Sequence, residues 1–95
     1  METLYQIACS IRALSGYVEV ARFKVADNKE EAISLFNQLQ GSSVAQKAIP
    51  NIRLHLIETG QPIDTVLATL YCTLCEAGDN CETIIKETFR AINIG

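Results

Sequence analysis

Gly16, Gly41, Gly60 and Gly78 divide the chain into five segments, and the hydrophobic period changes from one segment to the next. A chain that switches between a period of two and one near 3.6 builds strands and helices in alternation, and the apolar sides of both must meet in one core. Ninety-five residues hold a single core, so one globular domain over residues 1–95 is expected.

Leu4 to Leu14 alternates. Tyr5, Ile7, Cys9 and Ile11 lie on one side and Gln6, Ala8, Ser10 and Arg12 on the other, the pattern of a half-buried strand. Ser15-Gly16 makes a short turn, and Tyr17 to Ala26 is a second strand rich in Val, Phe and Tyr, so the pair reads as a hairpin. The parity slips inside that second strand: Val18 and Val20 share one side, Phe23 and Val25 the other. A bulge near Ala21-Arg22 is expected to bring all four to the core. Asp27 and Glu30 have capping-box spacing. Ala32, Leu35, Phe36 and Leu39 then share a helical face, which predicts a helix from about Asn28 to Gln40, ended by Gly41.

Ser42 to Ile49 has no clear period and reads as a loop with one helical turn begun by Ser43. Ile52, Leu54 and Leu56 alternate with Arg53 and His55 as a third strand. Ile63, Val66, Leu67, Leu70, Leu74 and Ala77 form a stripe, which predicts a helix over Pro62–Ala77 stopped by Gly78. Asp79 with Glu82 offers a further capping box, and Cys81, Ile84, Ile85, Thr88, Phe89 and Ile92 form the stripe of a final helix to about Asn93. The expected fold is therefore α+β, in the order β-β-α-β-α-α. Its three-stranded antiparallel sheet, order 2-1-3, carries two to three helices on one face.

Hydrophobic residues are 48% of the chain and charged residues 20%, so disorder is not expected. The apolar runs are broken by Arg12, Glu19, Arg53 or Asp64, which argues against a membrane span. The net charge of −3 argues against a dedicated nucleic-acid binder. Met1-Glu2-Thr3 lacks the basic start of a signal peptide, and a cytoplasmic protein is expected.

Cys72-x-x-Cys75, with Cys81 and either Cys9 or His55, has the ligand types of a tetrahedral zinc site. The pair lies inside a helical pattern rather than on a tight turn, and the other two cysteines are singletons. A redox CxxC is disfavoured too, because it needs a helix N-terminus to lower the thiol pKa. The weight falls on cysteines as small apolar residues in a reducing compartment, with no metal or cofactor. On the expected helix, Ala68, Cys72 and Cys75 fall together opposite Leu70. That second apolar side needs a cover, either the final helix or a second chain, and a homodimer through Ala68, Cys72 and Cys75 is expected.

Arg12, Arg22, Lys24, Arg53 and His55 all fall at outward parity on strands, while the acidic residues gather on helices and caps. Exposed charges are the ordinary state of a surface and protect strands from aggregation. The sharper reading is a docking face for an acidic segment of a protein partner or another anion. RNA is disfavoured, because Tyr5 and Phe23 point inward and only Tyr17 is left to face out. His55 has no nucleophile tied to it, and Thr59-Gly60-Gln61-Pro62 before a helix is a weak anion signal.

These features favour a small non-enzymatic, self-associating interaction module. The alternatives are a zinc- or thiol-dependent protein using Cys72, Cys75 and Cys81, and a small enzyme or ligand-binding subunit with a pocket between chains.

Overall fold

A computed structural model describes residues 3–43, 52–60 and 63–94. The elements run β1 (Tyr5–Ala13), β2 (Gly16–Ala26), α1 (Lys29–Asn37), β3 (Ile52–Glu58), β4 (Thr65–Cys72) and α2 (Leu74–Ile94). The fold is α+β, as expected, but the sheet has four strands rather than three. Its order is β2-β1-β3-β4 with every neighbouring pair antiparallel, and the described residues form two helices.

Register explains the two faces. Ile7 and Cys9 of β1 pair across to Leu56 and Leu54 of β3, which in turn pair with Ala68 and Leu70 of β4; this parity, with Tyr5, packs with Ala32, Leu35 and Phe36 of α1 and Ala77 and Ile84 of α2. Both helices therefore back one face and leave the other open. Ile7, Leu56 and Ile84 are at most 1% exposed and mark the centre of the core. Truncating any of them to Ala removes the transfer energy and leaves a void, a loss of about 2–5 kcal/mol.

The parity slip in β2 is a real bulge, one residue before the expected place. Cys9 pairs with Ala21 and Ser10 with Glu19, so Val20 is the extra residue. Its effect is to put Tyr17, Glu19, Arg22 and Lys24 on the same open face, although their numbers change parity. Val18 and Val20 are not brought into the core: they remain 50% and 54% exposed. A second irregularity leaves Val25 between Lys24 and Ala26.

Helix α1 buries the expected face, and its cap is shifted by one residue: Asn28, not Asp27, accepts from the Glu31 amide at 3.2 Å. Glu30 and Glu31 in its first turn suit the positive end of the helix dipole. The larger difference lies downstream. Thr65 to Cys72, expected as helix, is strand β4, and only the end of that expected helix, Leu74 to Ala77, is helical, continuous with the final one as α2. Helix α2 starts at a reciprocal capping box: Thr73 Oγ1 accepts from the Glu76 amide at 3.2 Å, and Glu76 Oε1 accepts from the Thr73 amide at 2.9 Å. Gly78 lies inside α2, not at a helix end, and Asp79 and Glu82 cap nothing there. The expected helical turn begun by Ser43 and the Pro62 helix start fall on residues outside those described, apart from Ser43 itself.

Residues after α1 meet the outer edge of β4 at its C-terminal end. Ser42 and Tyr71 exchange both backbone hydrogen bonds, at 2.8 and 2.7 Å. Asn80, 1% exposed on α2, holds the approach to this strap. Its Oδ1 accepts from the Gln40 amide at 2.7 Å and its Nδ2 donates to the Gln40 carbonyl at 2.8 Å, as a neighbouring strand would.

Candidate interaction surfaces

The open face of the sheet is a grid. Across the strands, β2 to β4, one row reads Lys24, Gln6, Ile57, Val66; the next Arg22, Ala8, His55, Thr69; the next Glu19, Ser10, Arg53, Tyr71. Beyond it Tyr17 pairs with Arg12. Every member of the expected basic set, Arg12, Arg22, Lys24, Arg53 and His55, is on this face by register. The tyrosines extend it: Tyr71, which the helical reading of its segment had hidden, stands here with Tyr17.

The cations are not equivalent. Arg22 is engaged within the chain. Its Nε and Nη2 donate to both carboxylate oxygens of Glu19, at 3.1 and 2.7 Å, and its Nη1 donates to Gln6 Oε1 at 2.9 Å. The hydrogen bond from Arg22 holds the Glu19 carboxyl below its usual range, and the same bond raises Arg22. Arg53 has no carboxylate partner among the described residues. Its guanidinium carbon lies 4.1 Å from the centroid of the Tyr17 ring, a cation–π contact that reaches across β1, and its Nε is buried without a hydrogen-bond partner. Tyr71 leans toward Tyr17, with ring centroids 6.4 Å apart and planes at 51°. Ser10 lies in register between Glu19 and Arg53 and is only 6% exposed; its small side chain leaves room for Tyr17 to reach Arg53 above it.

His55 differs from the cations around it. Burial, and then the charge of Arg53, lower its pKa below the ordinary 6.5, so it is neutral near pH 7. The face at neutral pH therefore carries Arg12, Lys24, Arg53 and the internally paired Arg22, with His55 as an uncharged polar group.

The second surface is the turn end of the β1–β2 hairpin. Ile11 and Val18 pair directly at the parity that faces the helices, yet stand 43% and 50% exposed, and Leu14 at the turn is fully exposed. The helix-backed layer is thus covered at its centre and bare at this end.

The cysteines do not form the expected arrangements. Ala68 and Cys72 lie on the core side of β4, while Cys75 is exposed on α2, so the three are not one helical stripe. The helical premise for an interface through them is lost. The alternative zinc set Cys72, Cys75 and Cys81 is not assembled either. Among the described residues no group of three or more His, Cys, Asp and Glu has the geometry to hold a metal ion. Cys72 Sγ is instead part of the polar tie at β4, donating to the Gln40 carbonyl at 3.3 Å and accepting from Asn80 Nδ2 at 3.2 Å. Burial pushes its pKa to about 11, against the lowering effect of the Asn80 bond, with Glu76, Cys9 and Cys81 adding to the rise. Burial also raises Cys9. At neutral pH both are thiols rather than thiolates, and only thiolates attack or ligate well.

No helix among the described residues is long and apolar enough to cross a membrane. The fold and surfaces define a small α+β protein with a one-sided sheet. No family model, curated protein or solved structure matches the chain.

Proposed function

We propose that the protein is a small non-enzymatic interaction module that self-associates as a two-fold dimer. The observation that carries this reading is the bare hairpin end, where Ile11, Val18 and Val20 stay exposed although the first two point to the helix-backed side. A second copy laid against this end would cover in two chains what neither helix covers in one. Exposed apolar residues grouped in this way mark association sites, and two-fold symmetry is the commonest way to close them.

Light scattering tests the reading. At micromolar concentration the parent is expected at twice the chain mass of 10.4 kDa. Val18→Lys is expected to give a folded monomer, because an exposed substitution alters fold stability by about 0.5 kcal/mol or less while a buried lysine at the interface opposes pairing. A parent that stays monomeric at high micromolar concentration would refute self-association.

A further inference from the structure

The open face suggests a partner different from a second copy. Two arginines stand on the inner side of Tyr17: Arg12, its direct neighbour on β1, and Arg53, which reaches its ring from β3. Neither has a carboxylate partner among the described residues, whereas Arg22 is closed by Glu19 and Gln6. The Tyr17 ring orients the Arg53 guanidinium, whose Nε is buried without a hydrogen-bond partner, so its donors are left for an acceptor from outside. Positions 12 and 10 are two residues apart on β1, and Arg53 lies beside Ser10. The two arginines are therefore set one strand over and two residues along, about 8 Å between backbones. Alternate side chains of an extended segment are spaced by about 6.6–7 Å, close to that interval. Arg53 occupies one face of the Tyr17 ring, which leaves at most the other for a base and favours a peptide over a single-stranded nucleic acid.

We propose that the open face binds an extended acidic protein segment, with carboxylates at alternate positions gripped by Arg12 and Arg53 beside Tyr17. Lys24 adds a positive charge farther along β2, beyond the Arg22–Glu19 pair. The binding does not require the hairpin-end dimer: one is read by peptide titration and the other by mass, so each can fail alone.

The test is fluorescence anisotropy with a short labelled peptide of alternating Glu and Thr. The controls are the same peptide with Gln for Glu and an oligouridine. The Glu peptide is expected to bind, the Gln peptide not, and the affinity to fall as salt rises from about 0.05 to about 0.5 M. Arg53→Gln is expected to weaken binding about tenfold and Arg12→Gln about fivefold, while Arg22→Gln stays within about twofold, because a charge-assisted contact is lost only in the first two. Arg53→Lys keeps the charge without the planar fork and is expected between parent and Arg53→Gln. Circular dichroism confirms that each variant is folded; if Arg53→Gln is not, Arg12→Gln and Arg53→Lys carry the comparison with Arg22→Gln. Equal binding of the Gln peptide, an Arg22→Gln loss as large as that of the Arg12 and Arg53 variants, or tighter binding of oligouridine would each overturn the proposal.

Discussion

The two outer strands of the sheet are finished in different ways. The edge of β4 is tied at its C-terminal end from within the chain: the strap at Ser42 pairs with Tyr71, and Asn80, Gln40 and Cys72 hold the strap down through hydrogen bonds. The edge of β2 has no such cover among the described residues. It is irregular instead, with Val20 and Val25 bulged out of register and Arg22 and Lys24 among its exposed side chains. β4 is rich in Thr, Val, Leu and Tyr and bears no charge, so an open edge there would invite pairing with any extended chain. β2 carries charges and bulges, which make a poor template. An edge that lacks its own deterrents is tied at its C-terminal end by a strap, and an edge that has them can be left exposed and used.

The strongest way to break this contrast is Asn80→Ala. It leaves the Gln40 amide without its partner and reduces the Gln40 carbonyl and the Cys72 thiol to the one bond they make with each other, in a part-buried site. The loss should be about 2–4 kcal/mol by urea titration. Hydrogen exchange at the Tyr71 amide should also accelerate well beyond the global change. Unchanged protection of that amide would mean that the strap holds without Asn80.

A finer comparison uses one substitution at both ends. Gly41 has φ of +152°, and an added Cβ would lie 2.7 Å from the Tyr71 carbonyl oxygen and 2.8 Å from the Leu70 side chain; Gly16 has φ of +123° and nothing within 4 Å. Both Gly→Ala changes meet backbone strain, but only Gly41→Ala also pushes the strap off β4. About 2–3 kcal/mol is expected for Gly41→Ala and about 1 kcal/mol for Gly16→Ala. Equal losses would mean that the closeness of the strap to β4 adds nothing.

The smallest expected effect belongs to His55. Its folded pKa lies below the ordinary 6.5, so between those two values the unfolded chain binds more protons than the folded one. Its contribution is present above pH 6.5 and is lost as pH falls through the folded value. In paired urea titrations across that range, His55→Gln should lose less stability on acidification than the parent. A steeper loss in the variant would contradict the direction of the shift.

The first half of the fold was legible because its residues carry one period each. The alternation of β1, the slip in β2 and the face of α1 all stand in the structure. The helical spacing of Val66, Leu67 and Leu70 with Ile63, Leu74 and Ala77 is coincidental, because it runs across an irregular residue, a strand and a helix start. Both sides of β4 carry apolar residues, so its alternation is weak. The usable signals were the β-branched and aromatic content of Thr65, Val66, Thr69 and Tyr71, and the Thr73-x-x-Glu76 capping box that follows. Gly78 also misled: as an exposed helix residue it costs about 1 kcal/mol relative to Ala, and it need not end anything. The basic face could be read from parity alone. The state of each cation could not, because the pairing of Arg22 with Glu19 and of Arg53 with Tyr17 depends on a bulge and on which strands are neighbours.

The strand order also governs how the chain comes together. β1 with β2, and β3 with β4, are hairpins between consecutive strands and close over short loops. The seam between β1 and β3 is different: Ile7 meets Leu56 and Tyr5 meets Glu58, partners from opposite halves of the sequence. Joining them fixes a long loop before much of the core is made, and long-range pairing of this kind is slow in folding. The polar tie at Asn80 needs α2, the end of β4 and the residues after α1 all in place. It belongs late in assembly, after the two hairpins have merged, and it works as a latch on a sheet already formed rather than as the seed of one.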